Sequence, residues 1–432
     1  MTRLSRRTLV QGLGALAVSP AFSSFPRPAY AQGAARIVVI GGGAGGATLA
    51  KYVKVGAPNA NVTLVERNAT YTSCFYSNLY YGGFRTIESL THSYDRLRET
   101  GINLIQDVAV DVDTEARVVT LMSGTRLDYD KLVLSPGIDV DLDAIEGYDA
   151  AATQLMPHAW RGGDQTRLLK SQIEAMDNGG VVVVAAPDNP YRCPPGPYER
   201  ICMIAHYLKT NKPRSKIVLL DAKMNFSKQP VFMEAFETHY PGMIEVNLTD
   251  QIDSFEVVKV DPKNKTLTVK SGQEFKADVA NVIPPQMAGG IAWRAGCVEN
   301  RWCPVSPEDF SSTKVKNVYV IGDSANAAQM PKSAFSANSQ AKYVANQLVA
   351  ELNGLKPLPS RLRNTCWSLL AENDSVKIGA SYSVGELAGT PGLVAASPFV
   401  SEPGEGASVR ARNFKESQGW YSAITIDMFA AS

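Results

Sequence analysis

The 432-residue chain has few of the residues on which metal sites and disulfide scaffolds are built. It holds six cysteines and four histidines. Six cysteines over this length are too sparse for a disulfide framework, although an even number fits an oxidising compartment. His92, His158, His206 and His239 show no metal-ligand spacing, and there is no zinc signature. The absence of C-x-x-C-H means that no haem is attached to this chain, and no G-x-S-x-G nucleophile elbow occurs. Neither sign of charge is in excess: the formal net charge is +1. A nucleic-acid binder would usually carry a basic surplus. Beyond the N-terminal segment no run of 18 apolar residues occurs, so stable membrane insertion is not expected. What is present is ordinary globular composition, 45% hydrophobic and 20% charged, with length for two or three domains.

Residues 1–31 stand apart. They contain Arg3, Arg6, Arg7 and Arg27 and no acid. An apolar stretch from Leu9 to about Val18 follows the Arg6-Arg7 pair, and Ala29-Tyr30-Ala31 supplies small residues for cleavage. This reads as a twin-arginine secretory signal. The alternative is a membrane anchor, for which the glycine-containing run is short. Removing four arginines from a chain of +1 leaves −3, so the whole-chain charge says little about partners. Export by this route carries folded proteins, so a periplasmic protein that receives its cofactor before export is expected.

From Arg36 the chain reads Ile-Val-Val-Ile-Gly41-Gly-Gly43-Ala-Gly-Gly46. A β-branched run enters G-x-G-x-x-G, a helix is expected over 47–54, and a second strand, Val62 to Glu66, ends 20 residues after Gly46. This order is the dinucleotide-binding fingerprint. Gly41, Gly43 and Gly46 let the backbone approach a pyrophosphate at a helix N-terminus, and Glu66 can accept from a ribose hydroxyl. With the neighbouring Arg67 these are the candidate cofactor-binding residues; the alternative is a tight strand–helix turn without ligand.

The chain then repeats itself. A meander from Asp107 to Gly137 recurs 148 residues later: Asp113 matches Asp261, Thr120 matches Thr268, Ser123-Gly124 matches Ser271-Gly272, Asp130 matches Asp278 and Pro136 matches Pro284. A strand at Val181–Val184, a helix near Glu199–Lys209 and a strand at Lys216–Asp221 precede the second copy. The expected class is therefore α/β, with two Rossmann-like dinucleotide-binding domains (glutathione-reductase-like) and a small C-terminal α+β domain. The expected divisions are a leader at 1–31, a first flavin-binding part at 32–150, a central Rossmann-like domain at 151–284, a second flavin-binding part at 285–360 and a C-terminal flavin-binding or interface domain at 361–432. In two-domain flavin reductases, which share this arrangement, a Gly-Asp like Gly322-Asp323 contacts the ribityl chain of FAD.

The second nucleotide turn lacks its glycines. Val181–Val184 is followed by Ala185-Ala-Pro-Asp-Asn-Pro-Tyr-Arg-Cys193-Pro-Pro-Gly-Pro-Tyr-Glu199. Prolines remove N–H donors and fix φ, so a phosphate cradle is not expected. Asp221 keeps the place of a ribose acid, but without the loop it carries little weight, and NAD(P)H is not the expected reductant. Cys74 falls on a loop after the ribose-binding strand, as a flavin-side residue or an ordinary thiol. A Cys193–Cys366 pair would lie at the junction of all three regions, either as a redox disulfide or as a staple of a long loop. Cys202 reads as a packed thiol; Cys297 and Cys303 read as a local pair or core thiols.

Tyr71-Thr-Ser-Cys74-Phe-Tyr-Ser-Asn78, Asn189-Pro-Tyr-Arg-Cys193-Pro-Pro-Gly-Pro-Tyr-Glu199-Arg, Ile321-Gly-Asp-Ser with Met330-Pro-Lys-Ser, Asn364-Thr-Cys366, and Gly419-Trp420-Tyr-Ser-Ala-Ile-Thr together give the chain a family likeness. It resembles the flavoprotein subunit of flavocytochrome c sulfide dehydrogenase over almost its whole length. The resemblance implies FAD joined covalently through Cys74, a redox disulfide Cys193–Cys366 beside the flavin, and Glu199 and Trp420 close to the active site. It implies sulfide as substrate and a c-type cytochrome subunit as electron acceptor. Glu199 then handles a proton or is simply a helix-start carboxylate; Trp420 shields the flavin or is a core aromatic. The rival expectations are a sulfide:quinone oxidoreductase-like enzyme, which would present an apolar C-terminal face to a bilayer, and a non-catalytic periplasmic flavin-binding protein.

Overall fold

The computed structural model describes residues 34–249, 254–359 and 361–431; the expected leader lies outside the described residues. Five parallel strands form the first sheet, in the order Val318–Val320, Lys131–Leu134, Arg36–Ile40, Asn61–Glu66, Asn103–Gln106. The four apolar residues of the Arg36–Ile40 strand are all buried. A strand inside a parallel sheet is covered on both faces, which is why its sequence is a continuous apolar run rather than an alternation. The helices Gly46–Gly56 and Ala334–Asn353 pack together over this sheet. Ser333 caps the second of them by accepting from the Ser336 N–H at 3.0 Å, and Gly354, at φ +66°, ends it.

The central sheet is also parallel, in the order Ile244–Leu248, Lys216–Asp221, Val181–Ala186, Val279–Val282. The sequence repeat has a physical basis here. Asp130 accepts the Arg36 N–H at 2.7 Å, and its counterpart Asp278 accepts the Val181 N–H at 2.7 Å. Each aspartate fixes the entry of the first strand of its sheet. Asp113 accepts from the amides of Glu115 and Ala116, and Asp261 from those of Lys263 and Asn264. Both pairs close a hairpin turn through an Asx contact.

The C-terminal region is a three-stranded antiparallel sheet, Leu362–Ala371, Asp374–Leu387 and Thr390–Val400, followed by the helix Ala407–Phe429. The Gly/Pro/Ser-rich stretch 385–408 is therefore partly strand. Ala388 at φ +49° and Gly389 at φ +81° form the two-residue hairpin that its composition permits. The final helix buries Tyr421, Ile424, Met428 and Phe429. Near its start the buried Arg410 reaches Glu234 at 2.8 Å, Asp374 at 3.1 Å and Glu405 at 3.1 Å, tying helix, sheet and central domain together. Among the described residues no helix is long and apolar enough to cross a membrane, and no cluster of side chains is arranged to hold a metal ion.

Candidate functional site

The three regions meet around a cavity of about 1200 Å³. This exceeds the usual range for small-ligand sites, roughly 300–1,000 Å³. Its wall collects nearly every residue singled out from the sequence: Gly41, Gly43, Glu66, Arg67, Cys74, Cys193, Glu199, Gly322, Asp323, Cys366 and Trp420. Gly46 is the exception. It stands behind the wall, where a Cβ would come 1.8 Å from the Gly41 carbonyl oxygen. Its role is to let the helix close onto the strand.

The first-domain end fits a dinucleotide. Gly41 lies at φ +99°, and a Cβ there would be 2.3 Å from the Ser135 carbonyl oxygen. At Gly43, by contrast, a Cβ would find nothing nearer than the Tyr71 ring at 3.7 Å. The chain's own packing does not require glycine at 43; a closely approaching ligand does. The helix behind the loop has no acidic residue in its first turn and no side-chain cap, so no side chain of its own competes with an anion there. Glu66 accepts from the Gly42 amide at 2.7 Å and from the backbone and side-chain amides of Asn68 at 2.9 Å. The carboxylate is held in place, with about one of its four acceptor positions left over. Deeper in, Asp323 is a carboxylate whose Oδ1 is buried without a hydrogen-bond partner. Burial raises its pKa, opposed by Arg192, 3.9 Å away, and by Lys332. An orphaned buried acceptor on a cavity wall is what a ribityl hydroxyl would satisfy. These residues fit FAD.

Beyond Arg192 and Lys332, which adjoin Asp323, lie Cys193 and Cys366. Cys193 occupies a left-handed loop position, φ +56°. Its N–H donates to the Lys332 carbonyl and its own carbonyl accepts from Gly196, both at 2.8 Å. A Cβ on Gly196 would be 3.1 Å from the Cys193 sulfur, so glycine opens the helix start to that thiol. Cys366 comes from the strand Leu362–Ala371. All six cysteines are free thiols. The Cys193–Cys366 bond implied by the resemblance is therefore not formed in this structure. The Cys366 sulfur is instead engaged with the Asn364 side-chain amide, at 3.5 and 3.6 Å. Burial pushes the Cys193 thiol up, and the neighbouring Cys366 and Glu199 add to the shift; burial also raises Cys366, against the pull of Lys228. The two sulfurs are thus within electrostatic reach of each other.

Glu199, in the first turn of the helix Gly196–Asn211, is buried. It accepts from Asn78 Nδ2 at 2.8 Å and from the Leu369 N–H at 2.9 Å. Burial raises its pKa in spite of these bonds. Trp420 lies parallel to Phe335, ring centres 6.0 Å apart, and touches Phe75 and Trp367. Cys202, Cys297 and Cys303 are buried core thiols without a disulfide, Cys297 donating to the Ala295 carbonyl at 3.7 Å.

Several residues of the site were not singled out from the sequence. Arg200 donates to Asn78, Asn281 and the carbonyls of His158 and Ala159, and so anchors the Glu199 partner Asn78. Ser333 donates to Asn364 Oδ1 at 2.6 Å. Asn78, Arg200, Ser333 and Asn364 all sit inside the motifs quoted above, so their signal was present but carried no role. Asp221, which carried little weight as a ribose acid on sequence alone, is engaged within the chain. It is fully buried, bonded to Lys223 Nζ at 2.5 Å and to the Tyr198 hydroxyl at 2.7 Å. Tyr198 in turn stacks on Phe226 at 3.6 Å. The chain's own side chains occupy the acid that a nucleotide ribose would use.

Comparison with known proteins agrees with this geometry. The family described as "Sulfide dehydrogenase (flavocytochrome c) flavoprotein chain, central" matches residues 166–284. "Flavocytochrome c sulphide dehydrogenase, flavin-binding" matches residues 359–429. "Pyridine nucleotide-disulphide oxidoreductase" matches residues 35–184. A flavocytochrome c sulfide dehydrogenase flavoprotein chain from Chlorobaculum thiosulfatiphilum is 48% identical over 46 residues, 96% of that sequence and 11% of this chain. The mitochondrial sulfide:quinone oxidoreductase of Dictyostelium discoideum is 21% identical over 326 residues, 74% of this chain and 72% of that protein. In structure, the sulfide:quinone oxidoreductase of Aquifex aeolicus superposes with a TM-score of 0.69 at 18% identity, covering 92% of both chains. Putidaredoxin reductase, in its covalent complex with putidaredoxin, gives 0.64 at 19% identity over 86% of this chain and 88% of that one. Both structures share the two-domain α/β fold. The flavin-sized cavity, the paired thiols and the matched central and flavin-binding regions place the chain in the flavoprotein family of flavocytochrome c sulfide dehydrogenases.

Proposed function

We propose that this chain is the flavoprotein of a periplasmic sulfide dehydrogenase that passes electrons from sulfide to a c-type cytochrome. The observation that carries the reading is the convergence of Cys193, Cys366 and Glu199 on the cavity that also holds the flavin-type glycine loop and Asp323. In the oxidised enzyme the two sulfurs are joined, and hydrosulfide attacks one of them by thiol–disulfide exchange. The S–S bond breaks, leaving one cysteine persulfide and one thiolate. Bound FAD supplies a two-electron acceptor that can release electrons one at a time. Glu199, raised by burial and held by Asn78 and Leu369, takes the proton released beside the thiols. Trp420 and Phe335 keep water from that end of the cavity.

A quinone acceptor is the second reading, supported by the sulfide:quinone oxidoreductase relatives. The C-terminal helix favours the cytochrome. Its exposed positions are Ala407, Ser408, Arg412, Lys415, Gln418, Gly419, Ser422, Ala423 and Ile426, with one large apolar side chain among them. An interfacial helix presents an apolar face. The committed Asp221 and the proline-rich turn at 187–197 favour a reductant other than NAD(P)H. The test is the purified holoprotein assayed anaerobically with sulfide or NADH as donor and cytochrome c or a short-chain quinone as acceptor. Sulfide-dependent cytochrome reduction is expected. Quinone reduction alone would support the second reading, rapid bleaching by NADH would remove the inference about the central domain, and no turnover would leave a flavin-binding protein.

Covalent attachment through Cys74 belongs to the same proposal. Cys74 lies on the cavity wall, in the turn closed by Ser77 Oγ donating to its carbonyl at 2.6 Å. Acid precipitation of wild type should leave flavin with the protein pellet, and Cys74→Ser should release it to the supernatant. Release from wild type would exclude the bond.

A further inference from the structure

We propose that Lys228 is a positioning residue that holds the negative charge of the opened pair on Cys366, making Cys366 the leaving sulfur and Cys193 the sulfur that hydrosulfide attacks. This rests on the reading of Cys193 and Cys366 as a redox pair. Lys228 does not line the cavity; it lies behind the strand that carries Cys366. It is 5% exposed, and its Nζ donates to the Ser368 hydroxyl at 2.7 Å and to the Cys366 carbonyl at 3.2 Å. Among the described residues no carboxylate lies within ion-pair distance of it. An ammonium group this buried ordinarily has an anionic partner.

The backbone makes the residue more telling. Lys228 caps the helix Gln229–His239 in the left-handed region, at φ +61°. That conformation suits glycine or asparagine, so the local turn does not account for a lysine. The side chain turns inward and stops beside the sulfur-bearing strand.

The groups facing Lys228 come from every element around it: Cys366 on the strand Leu362–Ala371, Glu199 and Cys202 on the helix Gly196–Asn211, Cys193 on its loop, and the Phe232 ring at 5.7 Å on its own helix. Burial lowers its pKa to about 8, opposed by Glu199 and by whichever of the thiols is ionised, Cys366 foremost. It is therefore charged at neutral pH and loses its charge as pH rises through that value. Cys193 has competing support. It sits at a helix N-terminus, which supplies about half an elementary charge. It also lies near Arg192, but that guanidinium faces Asp323 at 3.9 Å and is shared with Cys74 and Tyr71. The Lys228 charge, whose hydrogen-bond partners are the neutral Cys366 carbonyl and Ser368 hydroxyl, lies on the Cys366 side and outweighs both.

The step balances in these terms. Hydrosulfide forms a new S–S bond to the Cys193 sulfur. The Cys193–Cys366 bond breaks, and its electron pair leaves with Cys366 as thiolate. Cys193 carries the persulfide. A leaving thiol of lower pKa departs faster, so a cation beside Cys366 directs the attack to its partner.

The test is the pH dependence of iodoacetamide alkylation at each cysteine. It is read by mass spectrometry on holoprotein reduced anaerobically with a phosphine. In wild type, Cys366 should react at lower pH than Cys193. Lys228→Met should move the Cys366 profile up by a unit or more, which is about tenfold slower modification at neutral pH, and leave Cys193 where it was. Lys228→Arg, which keeps the charge, should retain the wild-type profile. The reverse order in wild type, an unmoved Cys366 profile in Lys228→Met, or failure of Lys228→Arg to keep it would overturn the proposal. Should Lys228→Met not fold, the wild-type order and Lys228→Arg still decide. Alkylation requires no turnover, so a wild type that fails to oxidise sulfide refutes the proposed function independently of the thiol result.

Discussion

Replacing Cys193 or Cys366 with serine is expected to cut sulfide-dependent cytochrome reduction by about 10³-fold or more while FAD remains bound. Serine is close to cysteine in size and keeps the contacts around each site: the Gly196 opening for residue 193 and the Asn364 amide for residue 366. It cannot form the bond that sulfide opens. The contacts expected for the pyrophosphate, at the glycine loop, involve neither cysteine. The two sulfurs act as one unit, so the double variant should be no slower than either single one. Steady-state rates and the flavin absorbance of the purified variants check this. The staple reading predicts a different pattern: turnover near normal, with roughly 4–5 kcal/mol of stability lost on opening so long a loop. Near-normal turnover in either serine variant would end the redox assignment.

Two glycine substitutions in the same loop are expected to fail for opposite reasons. In Gly46→Ala the new methyl would sit 1.8 Å from the Gly41 carbonyl oxygen and 3.2 Å from Val39. Backbone meets backbone there, with no side chain to swing aside. A loss of roughly 3 kcal/mol is expected even without flavin. In Gly43→Ala the methyl meets nothing closer than 3.7 Å. The apoprotein should melt like wild type, but the methyl enters the space where a pyrophosphate approaches. Flavin content should fall at least tenfold. Thermal melts of the apoproteins and the flavin-to-protein absorbance ratio after reconstitution separate the two effects. Full flavin content in Gly43→Ala would mean that the loop does not cradle the cofactor.

What the sequence made legible was local. The strand–glycine–helix order, Glu66 and the aspartates of the repeat each act within a few residues or at a fixed ladder position, so spacing carries them. The strand in the glycine-rich C-terminal stretch was harder to see, because Ala388-Gly389 looks like loop until its partner strand is in place. The partners of Asp221 were out of reach for a related reason. Its position in the second copy matches a ribose acid, but its burial against Lys223 and Tyr198 depends on how side chains from separate elements pack. Lys228 left no signal at all. Ser227-Lys-Gln-Pro reads as an ordinary polar turn, and only the fold turns its ammonium inward behind Cys366. Glu199 was visible as a helix-start carboxylate. Its engagement with Asn78 and Leu369, from two other regions, was not.

The backbone around the two sulfurs has a consequence for how the site cycles. Cys366 stands within a sheet, paired opposite Ile378. Cys193 has both of its peptide groups bonded and two prolines after it. Both main chains are held by these bonds, so closing the pair is expected to fall to rotation about the Cα–Cβ bonds, with the loop and the strand keeping their places.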